Sequence, residues 1–328
     1  MLHTNKKWSL VRIGLMMLAL IPAIIFLLII GSLIWNSAPV VQAVGLENLF
    51  SDKISGSFSG TYIPNQFGLM PAIVGTLQVV ILGLLFAFPF SLALAIAATE
   101  FSMGWLGRPI ELLLSFFSGI PPIIYALTSV FVVTTFIRPK FGGIELADSL
   151  IATLPGLPPL NAGTLPLNQS TLLGGIFLAL LIIPFMSPLI LDAIRDVPLH
   201  QKEASLALGA TRWFTLRRLI LPGALPGIIA AISIGVLKAT GDVVICAWTI
   251  GFIKDDGLPN PIFDIFEHNA PLTSTAAGLV GGLQGASVSL GLNTSAAYFA
   301  AFLLLVFAFT IIGLAEMCKK WLIRRNQA

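Results

Sequence analysis

Charge is what this sequence has least of. Asp, Glu, Lys and Arg together make up 10% of its 328 residues, against roughly 25% in soluble domains. A chain so poor in charge cannot cover a surface that faces water. Histidine occurs only as His3, His200 and His268, too scattered for a metal site. The two cysteines, Cys246 inside an apolar run and Cys318 beside Lys319 and Lys320, have no metal-ligand or redox spacing and read as small packing residues. No Gly-Lys pair occurs anywhere, which excludes a nucleotide-binding loop of the G-x-x-x-x-G-K-[ST] kind. No cluster of His, Glu or Cys converges, so a membrane-embedded enzyme is the class with least support. No cofactor is expected on this chain.

Long apolar runs are what it has in abundance. Hydrophobic residues make up 56% of the chain and the mean hydropathy is +0.95. About 20 apolar residues cross the hydrocarbon core as a helix. Six runs reach that length: 13–35, 72–98, 110–137, 172–191, 225–250 and 297–317. The expectation is an all-α integral membrane protein with six transmembrane helices and the lipid bilayer as its solvent. Pro89, Pro121, Pro122, Pro184, Pro188 and Pro226 lie within these runs. Kinked helices tolerate them where neighbours satisfy the freed backbone groups. Alternating ten-residue strands of a barrel are not seen. The first run follows Lys6, Lys7 and Arg12 like a signal peptide, but it is too long for one and no cleavage pattern follows. It is expected to stay as a spanning helix.

Orientation follows from lysine and arginine. Thirteen of the 18 fall at the N-terminus, at Arg108, between 195 and 218, or after 318, all on one side of a six-span chain. Four (Lys53, Arg138, Lys140 and Lys254) fall on the other, and Lys238 lies within a span. Both termini are therefore expected in the cytoplasm, and the net charge of +3 reflects topology rather than a nucleic-acid partner. The outer loops, about 36–71, 138–171 and 251–296, are rich in Gly, Pro, Ser and Asn and predict turns and short helices. The sequons at Asn168 and Asn293 are given no role. Asp255, Asp256, Asp264 and Glu267 read as solvated loop charges, or as a docking patch for an outer partner.

The inner loop 192–224 is too polar to span and too well patterned for a linker. Asp196 before Pro198 predicts a helix start, 200–208 a short helix, and Gly209 its left-handed stop. Thr211 can cap a second helix that passes Trp213, Phe214, Arg217 and Arg218 into Leu221-Pro222. The product is a helix–turn–helix elbow on the cytoplasmic face. Its bland reading is an amphipathic connector lying on the membrane.

Glu203-Ala204-Ser205, then Gly209, then Leu219-Ile220-Leu221-Pro222 resemble the E-A-A, G, I-x-L-P pattern of ABC importer permeases, with Ser205 and Leu219 as mild departures. The resemblance implies a type I importer (MetI-like) permease fold. Glu203, Ala204, Gly209, Leu221 and Pro222 would belong to a coupling helix that docks on a separate ATPase subunit, where ATP is used. Phe67-Gly68, Pro71, Gly75-Thr76-Leu77, Pro89, Ser91-Leu92-Ala93, Ala95, Ser118-Gly119-Ile120-Pro121 and 237–242 narrow the likeness. They are similar to the permeases of phosphate-specific importers, of the PstC-like rather than the PstA-like kind by length and first outer loop. The division implied is 1–71 for the first helix and outer loop, 72–318 for the permease core and 319–328 for a basic tail. Implied partners are a second homologous permease, two copies of a cytoplasmic ATPase and a periplasmic or extracellular phosphate-binding protein. Pro122 after Pro121, and Lys238-Ala239-Thr240-Gly241-Asp242 where the family carries Arg-Ala-x-Gly-Glu, depart from the pattern and bear on substrate choice. Lysine lacks the bidentate fork of arginine.

Lys238 and Asp242, four apart inside a predicted span, are expected on one helical face about 6 Å apart along the axis. Insertion scales charge about 2.5–3.5 kcal/mol for each. Two readings stand. Lys238 passes an anion along a translocation path with Asp242 holding it in place, or the two form a structural ion pair. The rival functions are an importer of another oxyanion (molybdate, tungstate or sulfate) and a gradient-driven secondary transporter.

Overall fold

A computed structural model describes residues 6–52, 68–101, 107–132, 170–252, 258, 262–281 and 290–327. The expectations for Lys53, Phe67, Arg138, Lys140, 154–159, Asn168 and 254–256 fall outside them, as do the N-terminal His3 and the side chain of Asn293. Every regular element among the described residues is helical.

The chain runs through α1 (Lys6–Val44), the single turn α2 (Leu46–Leu49) and α3 (Met70–Ile96), which ends in a π-helical turn, Ala97–Phe101. Next come α4 (Gly107–Ser118), α5 (Pro122–Val132), α6 (Thr171–Arg195), α7 (Leu199–Ala207) and the turn α8 (Arg212–Thr215). A second π turn, Leu216–Ile220, leads into α9 (Leu221–Gly241). The remainder is α10 (Val243–Thr249), α11 (Leu272–Gly281) and α12 (Leu290–Gln327).

Among the described residues five helices are long and apolar enough to cross a membrane, and α4 with α5, bent by 91°, passes the same test as a pair, the form of a broken span or a re-entrant loop. The bend falls at Gly119-Ile120-Pro121, where the proline cannot donate to the helix ladder, as the sequence predicts. Other boundaries differ from expectation. α1 continues to Val44 through Pro39, past the predicted end at 35. α12 carries on through the basic tail to Gln327. The fifth span is continuous over 212–241 rather than 225–250. The π turn Leu216–Ile220 widens the helix just before Pro222, where proline has no N–H to give the ladder. At its far end the span stops where Asp242 leaves helical geometry (φ −85°, ψ 107°).

α6 is the central post. Of its apolar stretch 61% is buried, against none for α1. Leu178, Ile182, Met186, Ile190 and Ile194 form the middle of the larger core with Val79 and Val80 of α3 and Ile228 and Val236 of α9. Lipid tails are as apolar as these side chains, so close packing rather than escape from water selects the arrangement. Gly227 of α9 lies so near Ala193 of α6 that an added Cβ would overlap it. α1 packs chiefly on α12, with Phe26 edge-on to Phe309 at 5.9 Å. A smaller core joins Val40, Leu49, Ala72, Leu272 and Phe299 at the end of the bundle opposite the α7 elbow.

Candidate functional site

Two constructions cap the bundle. At one end α6 closes with Asp196, whose N–H donates to the Asp192 carbonyl (2.9 Å). Asp196 is therefore the C-cap of α6 rather than the start of α7. Pro198 (φ −57°, ψ 128°) precedes α7, and its ring keeps Val197 from continuing a helix. α7 spans Leu199–Ala207, within a residue of expectation. Gly209 then takes φ +83°, a conformation that costs a residue with a Cβ. Thr211 Oγ1 accepts from Phe214 N–H at 3.2 Å, the predicted cap.

No residue of α7 is buried. Leu199, Leu206, Trp213 and Phe214 are exposed, and Leu208 is 90% exposed. Glu203, Ala204 and Gly209 lie on this exposed surface, whereas Leu221 is half-buried and Pro222 exposed at the root of α9. α7 is held by polar bonds. Lys202 Nζ reaches Glu100 Oε1 at 2.8 Å and the Ile194 carbonyl at 3.3 Å. Ser205 Oγ lies 2.9 Å from Thr215 Oγ1. Neither attachment was singled out from the sequence. An acid at the end of a predicted span, and a lysine next to Glu203, were the available signals.

Lys238 and Asp242 are not on one helix as expected. Lys238 is in the last turn of α9, half-buried, with Nζ 4.3 Å from the centre of the Phe185 ring of α6. This is a cation–π contact. Asp242 Oδ1 accepts from Ile245 N–H at 2.7 Å and so caps α10. No ion pair between Lys238 and Asp242 occurs among the described residues. A capping carboxylate is attracted to a helix N-terminus, which competes with the lysine for it. An open cavity of about 850 Å³ lies beside this joint, lined by Phe26, Leu237, Thr240, Ala276, Tyr298 and Phe309 among others. Neither charged residue lines it.

At the other end, residues 262–272 form a plug over the starts of α3 and α6. The Ile265 and Glu267 carbonyls accept from Leu172 N–H (2.7 Å) and Thr171 N–H (3.1 Å), two donors that a helix start leaves free. Thr171 Oγ1 also donates to the Glu267 carbonyl (2.8 Å). Thr76 Oγ1 accepts from Leu272 N–H (2.9 Å), and Gln78 donates to the Ile262 carbonyl. Asn269 is buried. Oriented to satisfy both ends of its amide, it donates to the Pro71 carbonyl (3.0 Å) and accepts from Gly75 N–H (3.2 Å). An added Cβ on Gly75 would stand 2.7 Å from the Asn269 carbonyl oxygen and 2.8 Å from that of Ala270. Asp264 accepts from Phe266 N–H (3.0 Å) and is engaged in its own turn. No group of His, Cys, Asp or Glu suited to a metal occurs among the described residues.

Residues 87–325 match the family model described as binding-protein-dependent transport system inner membrane component. The chain is 31% identical to the phosphate transport system permease protein PstC of Haemophilus influenzae, over 85% of this chain and 84% of that one. It is 28% identical to the protein of that name from Pasteurella multocida, over 78% and 75%. A solved bacterial alginate ABC transporter, crystallised with an alginate-bound periplasmic protein, has a chain of the same fold. Its TM-score is 0.59 at 23% identity, over 95% of this chain and 96% of that one.

Proposed function

Because this chain belongs to the family of binding-protein-dependent transport system inner membrane components, we propose that it is the permease subunit of an ATP-driven importer of inorganic phosphate. It is a multi-pass protein of the cytoplasmic membrane and a transport subunit rather than an enzyme. The observation that carries the reading is the elbow. A nine-residue helix with nothing buried, flanked by exposed leucines and aromatics, is a surface in want of a partner. Its E-A-A and G spacing is that of permeases whose partner is an ATPase.

In this reading the elbow end is cytoplasmic, since most of the basic residues lie there, and both termini lie on that side. Two cytoplasmic ATPase subunits hydrolyse ATP and dock on the elbows of this chain and of a second, homologous permease. A phosphate-binding protein delivers the anion at the plug end. Glu203, Ala204 and Gly209 form the docking turn, and Leu221-Pro222 the root that passes its movement into α9. Lys238 offers a positive charge at mid-bundle to the anion during alternating access, with Phe185 rather than Asp242 steadying it.

The test is uptake into proteoliposomes holding both permeases and the ATPase, with the binding protein outside. The expected result is ATP-dependent phosphate import that excess sulfate, molybdate or tungstate does not compete away. Import of one of those anions instead would overturn the substrate. Import by this chain alone in ATP-free vesicles would favour a gradient-driven transporter. Lys238→Gln is expected to cut import at least about tenfold, the effect of a lost charged contact of some 1.5–3 kcal/mol, in a complex that still assembles. Failure of the complex to form would make Lys238 a packing residue.

A further inference from the structure

α3, like α6, touches both capped ends. Glu100, in the π turn at its elbow end, holds Lys202 of α7 at 2.8 Å. Thr76 and Gln78, near its opposite end, hold the plug through Leu272 N–H and the Ile262 carbonyl. From Gln78 to Glu100 the helix measures about 33 Å at 1.5 Å per residue.

The Lys202–Glu100 pair is unlike the other ion pair near the elbow. Arg195 and Glu111 meet at 2.5 Å, but their side chains are 50% and 40% exposed, and water and salt screen such a pair. The Lys202 and Glu100 side chains are 15% and 20% exposed. Lys202 spends a second donor on the Ile194 carbonyl, so a single ammonium ties α7 to the ends of both α3 and α6. With no buried residue in α7, hydrophobic packing adds little to this attachment, and the Ser205–Thr215 hydroxyl pair ties α7 to α8 rather than to α3. The π turns Ala97–Phe101 and Leu216–Ile220 stand where α3 and α9 meet the elbow. Such turns recur at functional positions in helices.

We propose that the Lys202–Glu100 pair is the joint through which movement of the docked elbow is passed to α3, and along α3 to the plug. This deepens the importer reading and rests on it. The two are positioning residues: neither meets substrate or nucleotide. Pulling on Lys202 displaces the cytoplasmic end of α3. The buried bonds of Thr76 and Gln78 make the plug follow. Without the pair, the elbow moves under the ATPase while α3 lags behind it.

Spatial continuity does not establish coupling by itself, so the test reads coupling directly. In proteoliposomes holding the whole complex, with the binding protein outside, ATP hydrolysed per phosphate imported is measured for Glu100→Gln and Lys202→Met. Each is expected to retain the ATPase and its hydrolysis while the ratio rises about fivefold or more, the lower end of usual coupling strengths. Lys202→Arg, which keeps the charge, is expected near the wild-type ratio. An unchanged ratio in both single variants overturns the proposal, as does an equal rise in Lys202→Arg. Dissociation of the ATPase from the single variants assigns the pair to holding the docking surface and overturns it too. A wild-type complex that imports without ATP would instead sink the importer reading beneath it.

Discussion

At the plug end, residues 262–272 fold down onto α3 and α6 until two main-chain carbonyls join the Ser170 side chain in capping α6, and Asn269, Thr171 and Ser274 lose almost all contact with solvent. At the elbow end, α7 stands off the bundle with none of its residues buried, fastened by one lysine and one pair of hydroxyls. Both ends belong to the same long helices. The difference lies in what each must do when nothing is docked. The plug ties its backbone and buried polar groups to the bundle, and only Ile262 and Phe263 among its described large apolar side chains stay exposed. The elbow leaves Leu199, Leu206, Leu208, Trp213 and Phe214 exposed, and an exposed set of that kind is made whole by another surface.

Substitutions can break or sharpen that contrast. The largest expected effect is at the plug. Gly75→Val pushes a branched side chain at the backbone of Asn269 and Ala270, which cannot turn aside. Overpacking of this kind costs about 1–3 kcal/mol, and the thermal midpoint in detergent should fall with the yield of folded protein. Asn269→Ala comes next. It strips the buried Pro71 carbonyl and Gly75 N–H of their Asn269 contacts, at about 2 kcal/mol, again read in the thermal midpoint. At the elbow the readout changes. Leu208→Asp should leave the midpoint where it was, because Leu208 is 90% exposed. ATP-driven uptake should fall about tenfold, the loss when an interface anchor worth some 1.4 kcal/mol is removed. A drop in thermal midpoint with unchanged uptake would invert the comparison. The smallest effect is expected from Ser205→Ala. It removes one half-exposed hydroxyl bond, worth about 0.5–1.5 kcal/mol, and restores the alanine of the E-A-A pattern.

Local chemistry was legible in the sequence and distant pairing was not. Gly209 and Thr211 act on their own turn, so the elbow could be read within a residue. Gly119 and Pro121 likewise announced the break between α4 and α5. The plug is different. Its acceptors are main-chain carbonyls, which every residue carries, and the Gln78 and Thr171 contacts reach across 184 and 96 residues. Lys202 and Glu100 are 102 apart. Lys238 and Asp242 were read as a helical pair because their spacing fits one. The helix instead ends at Gly241 and spends the carboxylate on a cap, a choice between two local uses of aspartate that spacing does not decide. The start of the fifth span was misplaced for a similar reason, since the π turn before Pro222 leaves no mark in hydropathy.

The central claim is that the elbow is where an ATPase binds, and cross-linking tests it most directly. Cys246 is buried and Cys318 exposed, so Leu208→Cys in a Cys318→Ser background gives one accessible thiol. A short photoactivatable probe on that thiol should join this chain to a soluble Walker-type ATPase subunit in native membranes, with the yield changing when ATP is added. A probe that labels only lipid, in membranes where the chain still carries substrate without ATP, would contradict the claim.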